Sequence, residues 1–143
     1  MSRSGPPLES LLGDLSSPNY RVRWKAVQGL GGAREACAFE PLLGALKDRL
    51  PTIRIAALSG LGRLRDRRAI GPAIAMLEDP DPKVRASAAA ALKKFGKAAH
   101  APMLEALRKI DNPRAVDFFH EQLEGLPATE RELLEHTLAG PTS

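Results

Sequence analysis

Apolar residues recur at four-residue spacing along much of the chain: Val22, Ala26 and Leu30, then Ile53, Ala57 and Leu61, then Val84, Ala88 and Leu92. Such spacing puts each set on one face of a helix. One stretch argues locally for something else. In PNYRVRWKAV, Pro18 to Val27, Tyr20, Val22 and Trp24 alternate with Arg21, Arg23 and Lys25, the period-two pattern of a half-buried strand with a basic face and aromatic stacking groups. Local pattern alone does not separate that reading from a helix start. The wider chain does. YRVRWKAVQGLG (Tyr20 to Gly31), PTIRIAALSGLG (Pro51 to Gly62) and PKVRASAAAALK (Pro82 to Lys93) share one layout, with Arg23, Arg54 and Arg85 each 31 residues apart. Self-similarity at this period marks a solenoid, so PNYRVRWKAV is read as the beginning of a helix.

Each copy continues through a short turn into a second apolar segment, AFEPLLGAL, AIGPAIAML and HAPMLEAL, giving a helix A and a helix B per repeat. Pro41, Pro72 and Pro102 fall in or near the first turn of helix B, where a missing N–H removes little hydrogen bonding. Asp81-Pro82 and Asn112-Pro113 mark helix A starts, a capping side chain followed by proline; Pro51 holds the same place without such a cap. The expected organisation is a flexible N-terminus over 1–7 and a repeat region over 8–126. Within it stand a half-repeat at 8–17, full repeats at about 18–48, 49–79 and 80–110, and a degenerate helix over 112–126. A C-terminal acidic capping helix over 127–140 follows, opened by the capping box Thr129 and Glu132 and striped by Leu133, Leu134 and Leu138.

The residues D-P-D-P-K-V-R-A-S-A-A-A-A-L (Asp79 to Leu92), with V-R-x-x-A-x-x-x-L in the first and third copies, closely resemble HEAT repeats of the short bacterial, phycobilisome-lyase-like class, over residues 8 to about 125. The fold this implies is all-α, a right-handed HEAT-like α-solenoid. Function is less constrained, because the class includes adaptors and scaffolds, chromophore lyases, an iron-dependent hydroxylase and DNA glycosylases. The resemblance also implies that Arg23, Arg54 and Arg85 are structural, bonding loop carboxylates and carbonyls between repeats, with Asp48, Asp79 and Asp81 as available partners.

Composition narrows the picture. The chain of 143 residues suffices for one core without staples, and its single cysteine, Cys37, excludes a disulfide framework or a Cys-rich zinc site. Cys37 is expected as a small buried apolar thiol in the second helix of the first repeat. With no bilayer-spanning run and no hydrophobic leader, the expectation is a soluble cytoplasmic protein, with a monomer favoured. Residues 1–110 carry 19 Lys/Arg against 10 Asp/Glu and residues 111–143 carry 2 against 7, so the repeats are basic and the tail acidic.

No catalytic, cofactor or metal site emerges. There is no phosphate-binding, zinc or nucleophile-elbow motif. Among His100, His120 and His136 only His120-Glu121 matches the His-Glu pairs that the class's hydroxylase multiplies to hold two irons, and His100 sits in the column of Phe39 and Ile70 as a partly buried residue. The expectation is therefore a non-enzyme, an adaptor or scaffold that binds another protein. A lyase- or glycosylase-type enzyme is the minor alternative.

Three surfaces are candidates for contact. The A–B turns carry Arg34, then Arg63, Arg65, Arg67 and Arg68, then Lys93, Lys94 and Lys97; stacked turns make these a basic edge suited to an acidic protein surface, with nucleic acid or another polyanion as the alternative. Helix B offers Gly44, Ala75 and Glu105 with Lys47, Glu78 and Arg108 as a shallow concave groove. Tyr20 and Trp24 share a helical face beside Arg21 and Lys25. The Trp24 column drifts through Ile55 to Ala86 and Asp117, which suggests an outward position, with contact against the N-terminal half-repeat as the first expectation and a binding hot spot as the second.

Overall fold

A computed structural model describes residues 7–33 and 35–103, together with 117, 118, 121, 124, 128, 129 and 132. Its helices are α1 (Leu8–Asp14), α2 (Tyr20–Ala33), α3 (Phe39–Ala45), α4 (Pro51–Leu64), α5 (Ile70–Ala75) and α6 (Pro82–Phe95), with 3₁₀ turns at Ala36–Ala38, Arg67–Ala69, Met76–Glu78 and Gly96–Ala99. No strand occurs among the described residues, and Tyr20 to Lys25 is the first part of α2. The degenerate helix over 112–126 and the capping helix over 127–140 lie outside the described residues apart from the single positions named above.

Local chemistry sets where the long helices begin. The Asn19 side chain accepts a hydrogen bond from the Arg21 amide at 3.0 Å at the head of α2, and Asp81 accepts one from Lys83 at 2.8 Å at the head of α6. Pro51 and Pro82 occupy the first turn of α4 and α6, where no N–H is needed; Leu50, at the cap of α4, makes no side-chain bond. The repeat columns are the core: Ile53, Ala57, Leu61, Val84, Ala88 and Leu92 are all at most 1% exposed. Each buried Leu or Ile of this kind contributes about 1.5–3 kcal/mol of transfer free energy.

Helices α2, α4 and α6 lie side by side as one layer. The shorter helices form a second layer, and each packs chiefly on the long helix that follows it: α1 on α2, α3 on α4, α5 on α6. The N-terminal half-repeat α1 therefore has its main packing partner in α2. Between α2 and α4 the backbones touch. A Cβ on Gly31 would lie 2.8 Å from the Cα of Gly60, and one on Gly60 would lie 2.9 Å from the Cα of Gly31. Only glycine on both sides allows that approach.

The turn after α4 contains the one non-glycine residue with positive φ among the described residues, Arg65 at φ 55°, capping α4 in the left-handed conformation. Gly96, 31 residues later, holds φ 57° at the end of α6.

Candidate functional site

The B–A edge is built from the arginine column. Arg23 reaches Asp48 (Nε to Oδ2 3.0 Å, Nη2 to Oδ1 3.4 Å) and donates to the Ser17 carbonyl at 2.9 Å. Arg54 repeats this one unit on, donating to Asp79 Oδ1 at 3.1 Å and to the Asp48 carbonyl at 2.8 Å; its Nε lies 2.9 Å from Asp79 Oδ2 as a charge contact rather than an aligned hydrogen bond. Arg85 donates to the Asp79 carbonyl at 2.8 Å. Each aspartate also ties its own loop: Asp48 accepts from the Leu50 amide at 3.0 Å and Asp79 from the Asp81 amide at 2.9 Å. Burial works against charge on Asp48, but hydrogen bonds from Arg23 and the Leu50 amide, with the charges of Arg23 and Arg49, hold its carboxyl below the usual carboxylate range. These groups are structural and leave Glu78 as an exposed carboxylate of that edge.

The A–B edge differs. Arg63, Arg65, Arg67, Lys93, Lys94 and Lys97 are exposed, and Arg34 lies outside the described residues. Arg63, Arg65, Arg67 and Lys93 have no ion pair among the described residues. Arg68 has a role the sequence reading does not assign. Its guanidinium pairs with Asp66 (Nη2 to Oδ2 2.6 Å) and lies 4.0 Å from the centre of the Phe39 ring in the preceding repeat. The Arg68 hydrogen bonds hold the Asp66 carboxyl below its ordinary range. Arg68 thus clamps two repeats together at this edge. Cys37 departs from expectation: it is exposed in the Ala36–Ala38 turn, its Sγ 3.6 Å from Glu35 Oε2. The reason is that helix B begins only at Phe39, so Cys37 falls in the solvated turn before it.

On the B layer, Gly44 and Ala75 are exposed, as are Lys47 and Glu78, while Glu105 and Arg108 lie outside the described residues. A Cβ on Gly44 would meet nothing within 4 Å, and Gly44 borders a cleft of about 260 Å³ shared with Leu15, Pro41 and the Arg23–Asp48 pair. On the outer side of α2, Trp24 is half-buried and Tyr20 is 48% exposed. They line a cleft of about 300 Å³ with Arg21, Lys25 and Thr52 of α4, so the facing element is the next repeat. His100 is half-buried, while His120 and His136 lie outside the described residues. Among the described residues no group of three His, Cys, Asp or Glu side chains is placed to hold a metal ion, and no helix is long and apolar enough to cross a membrane.

Comparison with known proteins agrees with this architecture. The family model described as HEAT repeats matches residues 6–93 and 39–117. Among solved structures, the chain is similar to one described as the structure of the complex of CpcE and CpcF of phycocyanin lyase from Nostoc sp. PCC7120. It has 30% sequence identity and a TM-score of 0.62 over 75% of this chain and 45% of that chain. This sequence thus spans less than half the length of the chain it matches. No curated protein matches it. The match overturns one expectation. A non-enzyme was inferred from the lack of a catalytic motif, whereas the aligned relative belongs to a lyase, an enzyme complex, and points toward a lyase-type enzyme. Motif searches fail here because a repeat scaffold carries its chemistry in surface groups without fixed local spacing. With the model matched over more than half of its length, and with stacked helix pairs joined by an arginine ladder, the chain belongs to the HEAT-repeat family.

Proposed function

We propose that this chain is a HEAT-repeat component of a lyase-type enzyme that acts on, and in complex with, another protein. The observation that carries this reading is the 30% identity and 0.62 TM-score shared with a chain of a two-protein lyase complex. The geometry supports a protein partner. The A–B edge offers Arg63, Arg65, Arg67 and Lys93 without ion pairs, and clustered cations of one sign steer an acidic partner surface into register. Arg65 adds an independent argument. A left-handed arginine costs about 1–2 kcal/mol where glycine is free of strain, so its retention fits a role for the side chain in contact.

The test has two arms. In the first, the purified protein is incubated with phycocyanin apo-subunits and their chromophore, and colour that survives denaturation on the acceptor is measured. The reading expects covalent attachment above the uncatalysed rate; attachment no faster than the protein-free control, with no complex between chain and acceptor, overturns it. In the second, Arg65→Glu/Arg67→Glu is expected to leave helicity and melting nearly unchanged, since exposed turn charges contribute little to stability, and to slow association with the acceptor. A nucleic-acid role shows itself instead as sequence-indifferent binding that falls steeply with salt.

A further inference from the structure

The outer face of the long-helix layer carries a second surface that neither the lyase reading nor the arginine ladder uses. Along α2 the residues Tyr20, Trp24, Gln28 and Gly31 follow one another at helical spacing, and α4 presents Thr52, Ala56, Ser59 and Arg63 in the same sense. The cleft at Trp24 (about 300 Å³) and the one above Gly31 and Gly60 (about 280 Å³) therefore lie in line between the two helices as a single trench. From Tyr20 to Gly31 the helix rises about 16 Å, the length of three helical turns or about five extended residues.

Its two ends differ in chemistry. At the Gly31–Gly60 end the backbones touch, which leaves the trench shallow and its rim polar, with Gln28, Ser59 and Arg63. At the other end Trp24 and Tyr20 form an apolar wall between Arg21 and Lys25. The Arg21 guanidinium is 5.8 Å from the centre of the Tyr20 ring and its Nε donates to the Tyr20 hydroxyl at 3.4 Å, so the arginine braces the exposed ring. Three cations line the trench and no carboxylate does. A half-buried Trp flanked by cations is the composition of an interface anchor, and three charges over this length are too few for a phosphate backbone to supply the main binding term.

We propose that this trench docks a short acidic segment of a protein partner, with one large apolar side chain of that segment seated against Trp24 and Tyr20 and its carboxylates facing Arg21, Lys25 and Arg63. The site is separate from the turn edge except at Arg63, where the two meet. It does not depend on the lyase reading.

The chain has a single tryptophan, Trp24, so its emission reports the site directly. A random peptide library displayed on phage is selected on the full chain, with Arg21→Glu/Lys25→Glu as the counter-selection, and enriched peptides are synthesised and titrated while Trp24 emission is followed. The expected result is enrichment of acidic peptides carrying an aromatic or large aliphatic residue. They should shift Trp24 emission saturably, bind the charge-reversed variant about tenfold more weakly, and bind Arg65→Glu/Arg67→Glu as well as the parent. The last comparison separates this surface from the turn edge. No enrichment, enrichment of peptides without net negative charge, binding that leaves Trp24 emission unchanged, or equal affinity for the charge-reversed variant would each overturn the proposal. So would a stronger emission response to a single-stranded oligonucleotide, or one produced by self-association in a concentration series.

Discussion

Asp79→Ala removes the busiest side chain of the repeat junctions. The carboxylate, 7% exposed, faces an Arg54 side chain that is 13% exposed, and it also accepts the Asp81 amide. Two losses add. The charge-assisted hydrogen bond to Arg54 is of a kind that contributes about 1.5–3 kcal/mol. The cap on the Asp81 amide contributes about a further 1 kcal/mol. Arg54 keeps the carbonyls of Asp48 and Arg49, so its charge is not stranded and the cost stays below that of a fully orphaned buried ion. A total of about 2–4 kcal/mol follows, or a melting temperature lower by about 5–15 °C for a chain of this size. Thermal unfolding followed by far-ultraviolet circular dichroism measures it directly. Asp79→Asn should restore part of the loss, because an amide oxygen still caps Asp81, and a double-mutant cycle with Arg54→Met should give a coupling of about 1–3 kcal/mol. Melting of Asp79→Ala within about 2 °C of the parent, or strict additivity in the cycle, would refute the view that these junctions hold the repeats together.

Arg65→Gly should raise stability by about 0.5–1 kcal/mol, the left-handed strain relieved less the extra freedom glycine has when unfolded, while weakening the partner complex; opposite signs in calorimetry and binding are the signature to look for. For Asp48, the folded carboxyl titrates below its unfolded value, so its contribution is fully present above the unfolded value of about 4 and is lost as pH falls through the folded one. The difference in melting temperature between parent and Asp48→Asn should therefore be constant from about pH 5 to 7 and shrink below about pH 4; a difference that grows on acidification would contradict this sign.

Repeat columns carried most of the fold. Because Arg23, Arg54 and Arg85 recur in step with Asp48 and Asp79, their role as inter-repeat ties was legible before any coordinates. What columns hide is contact across them. Arg68 over Phe39 joins two different columns, and nothing in either sequence neighbourhood announces it. Cys37 is the opposite case: the position 31 residues on is Arg68, a solvated cation, so the column itself signalled exposure, and the apolar character of a lone thiol outweighed it. The Trp24 cleft lay between these extremes. The drift of its column through Ile55 to Ala86 marked an outward face, but that Thr52 of α4 supplies the opposite wall depends on how closely Gly31 and Gly60 let the helices approach.

Both joints of the ladder obey one arithmetic. The carboxylate partner stands 25 residues after its arginine, in Arg23–Asp48 and Arg54–Asp79 alike, and the carbonyl partner stands six before it, in Ser17, Asp48 and Asp79. Excising residues 49–79 would bring Pro80 directly after Asp48. Arg85 would then find the Asp48 carbonyl six residues behind it, and the Asp81 amide would find the Asp48 side chain two behind it, as the Leu50 amide does now. No seam would be left open. Length in this molecule therefore changes in integers, and whole units can be spliced in or out while every donor at the cut finds an acceptor already in place.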